Sequence, residues 1–312
     1  MNLPIEGNIE TVVDDDASQA LCRNLSVYIP MPDGVKIAAD IWLPETVNTG
    51  NKVPVAVEFT RYWRVIEGKS PQDFVCHMVQ QGFAFAVVDC RGSGASFGVR
   101  RSESSVAEAR DFAHIINWLA EQLWSNGAVV SMGRSYSANT AEIAMIDAPT
   151  VLKASVPRFS DFDVYTHIIF PGGLLNKVLL KPWGEGIYAL DMNNTADIHL
   201  AWEDCRYLSV KPVGGDVDKA LLKQAIAEHQ GNVPLQALLQ SKVYRDDFRF
   251  ANELDQSGEH WFTPHLTQDN PRIKQLPSYH WASFTDAGTA AGAISRFMGT
   301  DAPMRVVIGY WS

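Results

Sequence analysis

Four short apolar runs separated by helical spacing constrain this chain more than any other feature. Val53–Phe59 (VPVAVEF), Phe83–Asp89 (FAFAVVD), Ala128–Met132 (AVVSM) and Leu152–Val156 (LKASV) are short and rich in valine. Strands covered on both faces read this way. Between Glu103 and Gln122, Phe112, Ile115, Ile116 and Leu119 stand at i, i+3, i+4 and i+7, one apolar stripe turned to a sheet. From Ala287 onward the spacing recurs in Ala290, Ala293, Ile294 and Phe297. Upstream, residues 25–31 and 35–43 alternate polar and apolar around Pro32-Asp33-Gly34, which predicts a β-hairpin. Strand–helix–strand alternation predicts an α/β fold, a mostly parallel central sheet flanked by helices.

Residues from about 158 to 265 break that rhythm. They carry Gly172-Gly173, Gly214-Gly215, helix-like pieces at Asp218–His229 and Pro234–Lys242, and the scattered Trp183, Trp202 and Trp261. The expected organisation is a sheet domain in two parts, 1–157 and 271–312, interrupted by a helical cap at 158–270. Its strands resume at Pro277–Thr285 and Met304–Gly309. At 312 residues, 46% of them hydrophobic, the chain can bury a sizeable core. A net charge of −10 argues against a grip on the nucleic-acid backbone. No stretch approaches the ~20 apolar residues of a membrane helix. The N-terminus lacks the basic start and apolar block of a secretory signal, so a cytoplasmic location is expected. Cys22, Cys76, Cys90 and Cys205 are far apart and read as reduced thiols. No metal or cofactor is expected. Gly92, Gly94 and Phe97 break the dinucleotide glycine pattern, no phosphate-binding P-loop occurs, and no H-E-x-x-H pair exists.

The chemistry-bearing feature follows the third apolar run. Gly133-Arg134-Ser135-Tyr136-Ser137 stands between that strand and a helix-forming run, Ala138–Met145. A turn this tight strains the serine backbone and needs small residues two positions to either side, here Gly133 and Ser137. It lifts Ser135 Oγ above the strand ends and aims the Tyr136 N–H where an oxyanion would form. A plain strand–helix turn with an incidental serine is the competing reading.

Three further segments carry a family resemblance. Asp89-Cys90-Arg91-Gly92-Ser93-Gly94-Ala95-Ser96-Phe97-Gly98 resembles the D-x-R-G-x-G-x-S-x-G loop of the cocaine-esterase / X-prolyl dipeptidyl-peptidase family (CocE/NonD type). Trp118-Leu119-Ala120 through Trp124-Ser125-Asn126-Gly127 is similar to that family's run into the elbow, and Ser135-Tyr136 to its Ser-Tyr pair. The resemblance spans most of residues 25–160 and resumes at 275–312. It implies an α/β-hydrolase with a helical cap and, in the family, a C-terminal jelly-roll that this sequence lacks. It also implies Ser135 as nucleophile, Tyr62 as an oxyanion donor beside the Tyr136 N–H, and Asp286 as the triad acid. Tyr62 as a packed aromatic, and Asp286 as a helix cap, are the structural alternatives.

The family's triad order is Ser, Asp, His, and no histidine follows Asp286. The ending Gly309-Tyr310-Trp311-Ser312 resembles the family's G-P-W-S-H, with Tyr310 in place of proline, and stops just before the expected catalytic histidine. The sequence therefore reads as a truncated member, and apolar surface left by the missing jelly-roll predicts self-association. Of the histidines present, His280 should lie below the site, and His77 and His114 on surface helices. His167, His199, His229, His260 and His265 could approach from the cap. Asp161 and Asp163, at the cap entry, could meet a substrate ammonium or simply be solvated. The expected function is hydrolysis of a small ester or peptide substrate. The alternative is a non-catalytic α/β-hydrolase-fold binding module.

Overall fold

The computed structural model describes residues 9–10, 22–147, 149–196, 206–240, 264, 269–286 and 288–311. Trp202, Trp261, His199, His260, His265, Cys205, Lys242, Ala287 and Ser312 lie outside the described residues, as does the side chain of Cys22.

Among the described residues the sheet has nine strands: β1 (Ile9–Glu10), β2 (Cys22–Pro30), β3 (Lys36–Pro44), β4 (Val53–Thr60), β5 (Ala84–Asp89), β6 (Ser125–Arg134), β7 (Leu152–Arg158), β8 (Ser278–Ser283) and β9 (Met304–Gly309). Their order is β1-β2-β3-β5-β4-β6-β7-β8-β9. β1 to β3 are antiparallel, and β3 meets β5 antiparallel. Every pairing from β5 through β9 is parallel. The predicted hairpin is β2–β3, closed by Met31 N to Val35 O at 2.7 Å, with Gly34 at φ 87°.

Helices connect the parallel strands: α1 (Asp73–Gln80), α2 (Val106–Ala120) and α3 (Tyr136–Ile143). α2 begins in a reciprocal cap, the Ser105 hydroxyl accepting from Glu108 N while the Glu108 carboxylate accepts from Ser105 N. Its stripe of Phe112, Ile115, Ile116 and Leu119 is buried as the spacing predicts, and Phe112 stacks on Phe59 of β4 at 4.1 Å. Between β7 and β8 the chain leaves the sheet and forms α4 (Lys177–Asp191), α5 (Ala220–His229) and α6 (Leu235–Gln240).

The last helix, α7 (Thr289–Gly299), corrects the sequence reading. Ala290, Ala293, Ile294 and Phe297 were expected to face the sheet, yet Ile294 is 49% and Phe297 56% exposed. The buried face is Thr289, Gly292, Ala293 and Arg296. Arg296 turns inward because its guanidinium donates to Glu142 of α3 at 2.7 Å and to the Asp161 carbonyl at 2.9 Å. Those charge-assisted bonds outweigh covering two apolar side chains.

Since the strands from β4 to β9 run parallel, the residues that follow them collect at one end of the sheet: Tyr62, Ser135, Asp161 and Asp286. Open α/β sheets hold their ligands at that end.

Candidate active site

Ser135 joins β6 directly to α3 with φ 59° and ψ −125°, a conformation L-residues adopt only under constraint. The constraint is close packing of strand and helix. A Cβ at Gly133 would collide with the Ser137 backbone, so a glycine is obligatory two residues before the serine. Ser135 itself is exposed, while Gly133, Tyr136 and Ser137 are buried. The Tyr136 N–H, first in α3, has no acceptor within the helix and remains available to an anion.

Tyr62 lies just past β4, and its hydroxyl is 3.4 Å from Ser135 Oγ. Trp183 of α4 donates its indole N–H to the same hydroxyl at 3.0 Å. Burial holds the Tyr62 phenol above its ordinary pKa, so it keeps its proton at neutral pH. Asp286 follows β8 and lines the same cleft. The N-cap position of α7 is Gly288, two residues further on. The cleft, about 120 Å³, brings together Tyr62, Ser135, Tyr136 and Asp286, and adds Val164, Ile168, Leu179, Leu180 and Trp183 as an apolar wall.

Buried charge supports each side. Next to Tyr62, Arg61 pairs with Glu103 and, at 3.3 Å, with Asp191 at the end of α4. Arg100 reaches the same Asp191 at 2.6 Å. The Arg61 guanidinium also lies 5.3 Å from the Tyr136 ring centre and 5.5 Å from that of Trp183. The Tyr136 hydroxyl accepts from Ser104 N at 3.0 Å and donates to the Glu108 carboxylate, tying the elbow to the start of α2. Burial pushes Glu108 up to about 7. On the other side, Asn139 of α3 and Asp161 bond reciprocally at 2.9 Å. Burial, with the neighbouring charges of Glu142 and Asp286, pushes Asp161 up to about 7.

The Asp89 loop has a structural task. Its buried carboxylate accepts from Arg64 and from Ala95 N, and a Cβ at Gly94 would strike it. Asp163 accepts from Tyr165 N at 3.2 Å, so it shapes the turn after β7.

Among the described residues no histidine lines the cleft. His280 lies beneath it, as expected, with Nδ1 3.3 Å from Glu142 and Nε2 3.0 Å from Ser278 Oγ; burial and Arg296 push its pKa down. His77 is exposed on α1 and His114 half-buried on α2. His167 Nδ1 accepts from Asp163 N at 3.2 Å. His229 does not line the cleft: it is buried, with its ring nitrogens 2.7 Å from the carbonyls of Asp191 and Ser96. Among the described residues there is no cluster of three metal-ligating side chains, and no helix is long and apolar enough to cross a membrane. Cys90 is a buried free thiol and Cys76 a half-buried one.

Sequence reasoning missed Trp183, Arg61 and Asn139 as parts of this site. The signals were faint: a tryptophan in a helical stretch, the arginine preceding Tyr62, and the residue one turn beyond Ser135.

Comparison with known proteins follows the same lines. The profile of the X-Pro dipeptidyl-peptidase family (S15) matches residues 33–312. A Mycobacterium bovis protein, provisionally named a serine esterase, is 31% identical over 93% of this chain and 51% of its own length. The cocaine esterase of a Rhodococcus species is 30% identical over 54% of this chain and 29% of its own. A CocE/NonD family hydrolase structure from Staphylococcus aureus superposes with a TM-score of 0.64 at 22% identity, covering 92% of this chain and 46% of that one. That likeness shows the α/β-hydrolase fold. The chain spans about half the length of the mycobacterial relative.

Proposed function

Because the chain belongs to the X-Pro dipeptidyl-peptidase (S15) family, we propose that it is a serine hydrolase of small acyl-ester or peptide substrates, acting through Ser135. The observation that carries this is the strained Ser135, exposed at the head of α3 with its Oγ 3.4 Å from the Tyr62 hydroxyl. In the proposed reaction Ser135 Oγ attacks the acyl carbonyl and passes its proton to a histidine base. Asp286 would orient the base. The tetrahedral oxyanion would take hydrogen bonds from the Tyr62 hydroxyl and the Tyr136 N–H. Its collapse breaks the bond to the leaving alcohol or amine, which takes the proton from the base, and water then releases the acyl group. One such oxyanion donor is typically worth about 2.7–4 kcal/mol in the transition state.

The segment 158–270 would serve as a cap over this site. Its side chains at Val164, Ile168, Leu179, Leu180 and Trp183 line the cleft and favour an apolar acyl group. An alkyl fluorophosphonate tests the nucleophile. With imidazole added as the base, a single adduct on the peptide containing Ser135, absent from Ser135→Ala, is expected; labelling elsewhere, or none, would overturn the assignment.

A further inference from the structure

Trp183 and Tyr62 stand 121 residues apart and meet at a 3.0 Å hydrogen bond. An indole N–H can only donate, so at this contact the phenol oxygen is the acceptor. A phenol carries one proton. With its oxygen already accepting from Trp183, that proton is left for Ser135 Oγ, 3.4 Å away. The reverse arrangement, Ser135 donating to Tyr62, would tie up the proton that a base must remove.

We infer that Trp183 is a positioning residue that sets the direction of a hydrogen-bond chain, from indole N–H to Tyr62 hydroxyl to Ser135 Oγ, and so aims the Tyr62 proton at the developing oxyanion. This rests on the serine-hydrolase reading of the site. The chain is held rigidly. Trp183 and Asp191 lie on the same helix, α4, eight residues or just over two turns apart. Asp191 is fixed by Arg61 and Arg100, and the Arg61 guanidinium lies 5.5 Å from the Trp183 ring centre. Arg61 is also the chain neighbour of Tyr62. One buried arginine therefore fixes the donor helix and the acceptor loop relative to each other. The 3.4 Å contact with Ser135 is long for a hydrogen bond, so the Tyr62 proton is readily given up to the substrate oxygen once negative charge develops there.

A double-mutant cycle tests this, using turnover of p-nitrophenyl acetate by the full chain with added imidazole as the base, corrected for the rate with imidazole alone. Trp183→Phe should lower kcat about tenfold, the scale of one lost hydrogen bond. Tyr62→Phe should lower it by about 10²–10³. In the Tyr62→Phe background, Trp183→Phe should lower kcat no further. An equal fall in both backgrounds would make Trp183 only a wall of the cleft and overturn the inference. A second readout needs no turnover. The Trp183 indole N–H resonance, identified by its loss in Trp183→Phe, should move upfield in Tyr62→Phe; an unmoved resonance would overturn the hydrogen bond itself. Absence of Ser135-dependent turnover would overturn the hydrolase reading and the catalytic role built on it, and the resonance separates that failure from loss of the contact.

Discussion

On the Tyr62 side of the cleft, Arg61 and Arg100 share Asp191, with Glu103 beside them, and all four are buried. On the Asp286 side, Arg296 faces Glu142, which also meets Ser160 and lies 3.3 Å from His280. The first cluster joins the loops after β4 and β5 to α4, outside the sheet. His229 extends it by placing the end of α5 against Asp191 and Ser96. The second cluster stays within α3, α7, β8 and the turn after β7. The contrast teaches that the oxyanion half of the proposed site is braced from outside the sheet, by α4 and the end of α5, whereas the acid half is held by the sheet's own connections. Each half also holds one carboxyl raised by burial to about 7, Glu108 on the first and Asp161 on the second.

Breaking the first cluster should cost most. Asp191→Ala leaves two buried guanidinium groups with only Glu103 between them, and should destabilise the fold by about 3–5 kcal/mol in urea unfolding. The raised carboxyls set the next effect. A carboxyl whose folded pKa lies above its unfolded value stabilises the fold fully below the unfolded value, and that contribution is lost as pH rises through the folded one. Stability should therefore fall as pH rises from about 4.5 to about 7. Each pKa unit corresponds to about 1.4 kcal/mol. Glu108→Gln should remove the share of the Tyr62 side and leave that of Asp161, as urea midpoints at pH 5 and pH 8 would reveal. Arg296→Met should cost less than Asp191→Ala, about 1–3 kcal/mol, because Glu142 keeps Ser160 as a partner. Phe297→Ser, on the exposed face of α7, should change stability by no more than about 0.5 kcal/mol in the same assay.

That last variant also marks where sequence reasoning ends. The strands were legible because valine-rich runs flanked by turns have few other uses, and β9 matches its expected bounds at Met304–Gly309. The elbow was legible because strand, serine, small residue and helix are contiguous. The face of α7 was not, because Arg296 is drawn inward by Glu142, 154 residues earlier. No local periodicity records that partner. The same holds for Trp183, whose acceptor is 121 residues away, and for His229, which binds two backbone carbonyls that leave no trace in composition.

The account turns on Ser135 as a nucleophile. Its most direct test is steady-state turnover of p-nitrophenyl acetate by the 312-residue chain beside Ser135→Ala, with and without added imidazole as an external base. Turnover that imidazole raises and Ser135→Ala abolishes is the predicted result. Equal rates for the two proteins under both conditions would contradict the account and leave the cleft as a binding site.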